Sequence, residues 1–255
     1  MVLNRPIFFQ TINIVAFIVT VAVNGLAGST TLLNGVTSGE VSDFYPTLVT
    51  PEGFTFAIWG VIYMLLLAFI VYQALSKNRD KPFLSQVGLL FALSGACNVV
   101  WLFLWHYKLF TYSLVLMFAL LASLILIYLR LDIGMAAVSL KEMVLVHLPF
   151  SVYLGWISIA TIANVSVALT AFGWDGFGIE ASTWAIVIIC VALLLSLAML
   201  AKRKDIAFCF VVIWALVGIL VKQSGYETIV LASEIGIGLL LVAIAVTVAF
   251  SRLKR

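Results

Sequence analysis

The chain has 255 residues, of which 64% are hydrophobic and only 10% are charged. Soluble domains carry about 25% charged residues, so a water-soluble globular fold is excluded. Several apolar runs reach the ~20 residues that a helix needs to cross a membrane, and the ~10-residue alternating segments of a membrane β-barrel do not occur. The sequence therefore predicts an all-α, polytopic membrane helical bundle.

Eight membrane-spanning helices are predicted. The first follows Arg5 and Pro6 and lacks the cleavage pattern of a signal peptide, so we expect it to be retained. The connecting segments are polar or rich in glycine, as in "SKNRDKP", "AFGWDGFGIEAST" and "AKRKD". The predicted spans cover residues 8–27, 53–76, 82–105, 109–130, 142–169, 184–201, 205–222 and 226–250.

The basic residues are distributed unevenly between the two sides of this predicted bundle. Twelve of the fourteen Lys and Arg residues fall on the side that holds both termini, and Lys108 and Lys222 are the exceptions. The positive-inside rule then predicts both termini in the cytoplasm, and we predict the plasma membrane as the location. The same asymmetry accounts for the pI of 8.8. We therefore predict membrane lipid as a partner and no nucleic acid.

Two long connections lie on the opposite, outer side. Residues 28–52 and 171–183 contain acidic residues and no Lys or Arg. Long loops often carry function, so these segments are interpreted either as caps over a site that opens outward or as ordinary solvated loops.

Three predicted spans place aromatic and amide side chains on one face at similar depths. In span 2, Trp59 lies about 9 Å and Tyr63 about 15 Å from the outer surface, with Phe56 beside them. The stripes in spans 3 and 5 follow helical spacing and consist of Asn98, Trp101 and Trp105, and of Trp156, Ala160 and Asn164. Each residue alone is explained by interfacial anchoring or by an interhelical hydrogen bond. Together they predict an apolar, aromatic-walled pocket for a small molecule.

Three sequence motifs resemble one known family. "FAIWGVIY" is similar to the V-W-x-x-L-Y signature of the translocator protein family, also called the tryptophan-rich sensory protein (TspO/MBR) or peripheral benzodiazepine receptor-like family. Pro51 lies upstream of this motif, as in the family. Asn98-x-x-Trp101 resembles the family's N-x-x-W. The segment from Pro149 through Trp156-x-x-x-Ala160-x-x-x-Asn164 resembles the pattern of its fifth helix.

The resemblance implies that residues 1–170 form a five-helix bundle whose pocket opens toward the loop between the first two helices. It implies a small apolar ligand, such as a porphyrin or a sterol, and a possible homodimer. It also implies that the motif residues belong to the pocket or its frame. The chain differs from the family at Gly53, where many members have Trp, and in residues 171–255, which add three helices.

The added helices contain Glu234, the only carboxylate well inside a predicted span. A carboxylate in the membrane indicates a functional site by default. We interpret Glu234 either as an ion or proton site, or as a structural bond that locks spans 7 and 8 together. Lys222, Glu227 and His106 lie at the same level and are its candidate partners.

Catalysis is not predicted. The sequence shows no nucleophile–base pair, carboxylate dyad, phosphate loop or metal cluster, so we predict no enzyme, no metal and no cofactor other than a possible tetrapyrrole ligand. A lone histidine such as His147 is more typical of a hydrogen-bonded core residue than of a ligand. The predicted function is ligand binding by a membrane sensor or translocator. The alternatives are a proton- or cation-coupled transporter that uses Glu234 and a sensor whose outer loops contact another protein.

Overall fold

The computed structural model describes residues 5–253, and every regular element in this range is helical. The predicted all-α membrane bundle is thereby confirmed. Six helical segments are long and apolar enough to cross a membrane: Arg5–Gly28, Gly53–Ala74, Phe110–Arg130, Leu140–Ala171, Ala181–Arg203 and Glu227–Ser251. Two shorter apolar helices, Leu90–His106 and Ile206–Lys222, complete the bundle. Each of the eight predicted spans overlaps one of these segments.

The helices are numbered in chain order. They are α1 (Arg5–Ser29), α2 (Ser38–Asp43), α3 (Ile58–Ala74), α4 (Pro82–Val87), α5 (Leu90–His106), α6 (Phe110–Arg130), α7 (Leu140–Glu142), α8 (Leu148–Ala171), α9 (Ala181–Arg203), α10 (Ile206–Lys222) and α11 (Glu227–Leu253). A 3-10 helix at Gly53–Ala57 leads into α3, and a π-helical turn at Met143–His147 leads into α8.

The prediction of one continuous helix over residues 82–105 is wrong. The chain breaks at Gly88, which has φ +49° and ψ −132°, so that α4 and α5 are separate helices. Residues with a side chain rarely adopt this conformation, and glycine adopts it at little cost. The apolar composition of the segment hides the break, because hydropathy does not report backbone geometry.

Helix α8 forms the centre of the bundle. In its most apolar stretch 67% of the residues are buried, against 17% in α1. It packs against α3, α6 and α10, so its side chains contact both the first helices and the last ones. The wall of any cavity inside the bundle must therefore include α8.

The three C-terminal helices are arranged unequally. Helix α10 packs against α8 and also contacts Gly53–Ala57, whereas α9 and α11 pack mainly on α10 and on each other. Helix α10 is therefore the inner helix of the three. The division into a 1–170 bundle and a 171–255 unit stays a prediction.

Candidate ligand-binding cavity

A cavity of about 680 Å³ lies among α3, α5 and α8, beneath α2. Its volume falls within the range of about 300–1,000 Å³ that is typical of small-molecule sites. Eight of the nine residues that the sequence singled out for ligand binding line it: Phe56, Trp59, Tyr63, Trp101, Trp105, Trp156, Ala160 and Asn164. The three stripes thus face a common space.

Aromatic rings form two sides of this cavity. On one side, Trp59 stacks on Tyr63 with ring centroids 5.5 Å apart, and Trp156 meets Trp59 edge-on at 6.4 Å. On the other side, Trp101 and Trp105 stack at 5.9 Å. Such pairs contribute about 0.5–1.5 kcal/mol beyond the area they bury, so the rings hold each other in place around the open space.

Two polar atoms in this wall have no hydrogen-bond partner among the described residues. They are the indole Nε1 of Trp156 and the hydroxyl of Tyr63, and both are buried. Leaving a buried donor unpaired costs about 1–3 kcal/mol, so such groups are uncommon. By contrast, Asn164 Oδ1 accepts from Trp101 Nε1 at 3.3 Å. Trp156 and Tyr63 both line the cavity, but their two unpaired atoms are covered by neighbouring protein atoms, so a ligand can bond to them only after those neighbours shift.

Asn98 is the predicted site residue that does not line the cavity. It is fully buried, and its Oδ1 accepts a hydrogen bond of 2.6 Å from Nδ2 of Asn24. Asn24 itself lines the cavity from α1. Sequence reasoning missed Asn24, although an asparagine within an apolar run was the signal that could have found it.

The roof of the cavity comes from the long connection after α1. The outer end of the cavity is lined by residues 37–40, Ser42 and Asp43, together with Thr50, Pro51 and Gly53. Residues 28–52 are interpreted from the sequence either as a cap or as a solvated loop. The structure favours the cap, because part of this segment lies over the cavity. Gly53 leaves its place in the rim open, since no atom lies within 4 Å of a Cβ built there.

A capping box fixes α2 in the roof. The Thr37 backbone N–H donates to the Glu40 carboxylate at 2.6 Å, and the Thr37 hydroxyl donates at 2.9 Å. These bonds lower the pKa of Glu40. The cap is therefore complete above the ordinary pKa of a glutamate and is lost as the pH falls through the lowered value.

Helix α5 anchors the same roof from below. Trp105 Nε1 donates to the Ser38 carbonyl at 3.2 Å, and Asn34 Nδ2 donates to the His106 carbonyl at 2.8 Å. Trp105 thus has two roles, because its ring lines the cavity while its N–H holds the cap.

Helix α10 holds the rim from the side. Lys222 forms an ion pair with Asp43 of α2. Trp214 Nε1 donates to the Thr55 carbonyl at 2.9 Å, and the carbonyl of Gly218 accepts from the Glu52 backbone N–H at 3.0 Å. A Cβ at Gly218 would lie 2.2 Å from Thr55 Oγ1, so this approach requires glycine. These partners lie far apart in the chain, and no sequence pattern links them.

Glu234 is exposed on α11, and its side chain makes no hydrogen bond or ion pair with any residue from 5 to 253. The interpretation that it locks spans 7 and 8 together is wrong, since its candidate partner Lys222 pairs with Asp43 instead. His106 is also engaged, with Nδ1 2.8 Å from the Leu102 carbonyl. A role for Glu234 in ion or proton binding stays a prediction.

A family model described as TSPO-like protein matches residues 10–246. The chain belongs to the TSPO-like family. The match includes α9, α10 and most of α11, whereas the motif resemblance in the sequence ended near residue 170. No curated protein and no solved structure matches the chain. As a TSPO-like protein with six helices able to span a bilayer, the chain is an integral membrane protein.

Proposed function

We propose that this TSPO-like protein binds a flat or elongated apolar molecule in the aromatic cavity and acts as a sensor or translocator rather than as an enzyme. Candidate ligands are a tetrapyrrole and an isoprenoid or sterol-like lipid. The observation that carries the proposal is the cavity of about 680 Å³ whose wall is formed by stacked aromatic rings. Trp156 Nε1 and the Tyr63 hydroxyl would bond to a carboxylate, carbonyl or hydroxyl oxygen of the ligand once the atoms that cover them shift.

The proposal includes the orientation of the cavity in the membrane. With both termini in the cytoplasm of a plasma-membrane protein, the roof formed by α2 faces outward. The ligand then enters from the outer leaflet or the outer aqueous phase. A homodimer remains a prediction for this chain, with α9 and α11 as the outermost of the added helices.

Quenching of tryptophan fluorescence by protoporphyrin IX tests the proposal. The wild-type protein is expected to show saturable quenching. Trp156→Leu and Trp59→Leu are expected to weaken binding about tenfold or more, because stacking on an aromatic ring contributes about 1–3 kcal/mol per contact. Trp174→Leu is the matched control, since Trp174 lies in the connection after α8 and does not line this cavity. Unsaturable quenching, or the same curve for all four proteins, would reject the site.

A second variant separates the hydrogen bond from the ring. Trp156→Phe keeps an aromatic side chain and removes the N–H. It is expected to weaken binding of protoporphyrin IX, which has carboxylates, more than binding of its dimethyl ester. Equal losses for both ligands would show that the indole N–H plays no part.

Proton- or cation-coupled transport is the second candidate function. It is favoured by one observation, that Glu234 lies unpaired within the apolar helix α11. Isolated carboxylates in the membrane are costly and usually functional. We expect pH-dependent uptake in proteoliposomes that is lost in Glu234→Gln and kept in Glu227→Gln, at the start of the same helix. Normal uptake in Glu234→Gln would remove this candidate.

A further inference from the structure

A separate cleft of about 650 Å³ opens at the opposite end of the bundle. It lies where the connection after α6, the π-helical turn before α8, the corner between α9 and α10, and the end of α11 come together. One side of the cleft is apolar and is formed by Ile133, Val144, Leu148, Ile206, Ala207 and Val248. The other side carries His147, Arg203, Lys204 and Asp205.

The basic side of the cleft is built by a close contact between two connections. The backbone of Gly134, with φ +85°, lies so near the Arg203 carbonyl that a Cβ would be 1.8 Å from its oxygen. The Arg203 guanidinium also bonds to Asp132 at 2.5 Å. Lys204 adopts a left-handed backbone conformation with φ +53° and ends α9. These contacts hold the corner between α9 and α10, which carries Arg203 and Lys204, in place at the cleft.

Asp205 supports this corner and has its oxygens fully engaged. Its Oδ1 accepts from the Ser151 hydroxyl at 2.5 Å and from the Phe208 backbone N–H at 3.0 Å, and its Oδ2 accepts from the Tyr128 hydroxyl at 2.9 Å. The negative charge is therefore spread over three donors inside the protein. Asp205 caps α10 and leaves the open side of the cleft to its basic neighbours.

His147 is the unexplained group in the cleft. Only 5% of its surface is exposed, and its ring makes no hydrogen bond with any residue from 5 to 253. The expectation of a hydrogen-bonded core histidine is wrong here. His147 ends the π-helical turn, and such turns often occur at functional sites. Neither ring nitrogen is among the fully covered atoms that lack a partner, so the imidazole is open to the cleft and can bond to a ligand there.

We propose that this cleft binds an anionic phospholipid. An acyl chain would lie against the apolar side, between α8 and α11, and the headgroup phosphate would contact Lys204 and His147, with Arg203 beside them. Lys204 is exposed and forms no ion pair with a described residue, so its ammonium is available to a phosphate. The apolar wall continues into the membrane-spanning parts of α8 and α11, which suits a lipid better than a free anion.

Binding of phosphatidylglycerol to the full chain in neutral detergent tests this site. Phosphatidylcholine with the same acyl chains and inorganic phosphate serve as the other two ligands. The wild-type protein is expected to bind phosphatidylglycerol saturably and at least tenfold more tightly than phosphatidylcholine, because both lipids carry the phosphate but the choline ammonium of phosphatidylcholine places a positive charge beside Arg203 and Lys204. Equal affinity for the two lipids, or equally tight binding of inorganic phosphate alone, would overturn the proposal.

Variants locate the lipid. Lys204→Asn, which keeps a residue that tolerates the left-handed conformation, is expected to weaken phosphatidylglycerol binding about tenfold. Lys202→Asn is the matched control, since Lys202 is exposed nearby on α9 and does not line the cleft. His147→Gln should retain more affinity than His147→Phe, because glutamine keeps a hydrogen-bond donor. Identical losses for Lys202→Asn and Lys204→Asn would reject the cleft as the binding site.

Discussion

The first eight helices and the last three are held together by different interactions. Among α1–α8, buried amides link the helices, as in Asn24 to Asn98 and Gln10 to the Gln73 carbonyl. Among α9–α11, the packing is mostly apolar, and the side chain of Cys209 donates one bond of 3.4 Å to the Ser196 carbonyl. Amides therefore link the motif-bearing helices, and apolar packing holds the last three together.

Helix α10 makes polar contacts with the rest of the bundle at its start and along its second half. Asp205 caps its first turn beside the lipid cleft, and Trp214, Gly218 and Lys222 hold the rim of the aromatic cavity. Helix α10 thus braces a cavity at each end of the membrane. The following three substitutions test this difference in order of expected effect.

Gly218→Val should have the largest effect. Its Cβ would lie 2.2 Å from Thr55 Oγ1 and 2.8 Å from Pro51 Cβ, so the rim must move away from α10. We expect a loss of up to about 3 kcal/mol in the free energy of unfolding, together with weaker protoporphyrin binding. Thermal unfolding and fluorescence quenching measure the two effects. Gly238→Ala in α11 is the control, because open space surrounds that glycine. Equal stability of the two variants would contradict the brace at the rim.

Asp205→Asn should have an intermediate effect at the other end of α10. The change removes the negative charge of the carboxylate that accepts hydrogen bonds from Tyr128 and Ser151. We expect the free energy of unfolding to fall by about 1–2 kcal/mol, as measured by thermal unfolding. Asp80→Asn is the control, since Asp80 is exposed on the same side and makes no side-chain hydrogen bond or ion pair with a described residue. If Asp80→Asn lost as much stability as Asp205→Asn, the loss would come from the change in net charge and not from the hydrogen bonds of Asp205.

Lys222→Asp should have the smallest effect on stability. Its ion pair with Asp43 is partly exposed, and such pairs contribute about 0–1 kcal/mol. We expect a change in the rate of ligand entry that shrinks at high salt, as measured by stopped-flow quenching. The double variant Asp43→Lys with Lys222→Asp should restore the wild-type rate. Failure of the double variant to restore the rate would separate this ion pair from the roof.

The sequence predicted the membrane bundle and the common direction of three aromatic stripes, because hydropathy and helical spacing are local properties. It did not predict the break at Gly88, which depends on one backbone conformation, or the contribution of Asn24, which lies on a helix without an aromatic stripe. The contacts of α10 with residues 43–55 could not be predicted from the sequence either. They join residues more than 150 positions apart, and only the packed fold brings those residues together.

Helix α10 lines one cavity and holds the rim of the other, so we expect filling of one to be coupled to filling of the other. A phospholipid that stiffens the start of α10 would lower the cost of ordering its other end, where the roof is held. Reciprocity then requires that the factor by which this lipid changes porphyrin affinity equals the factor by which porphyrin changes lipid affinity. Through α10, a lipid bound on one side of the membrane would change ligand affinity on the other side.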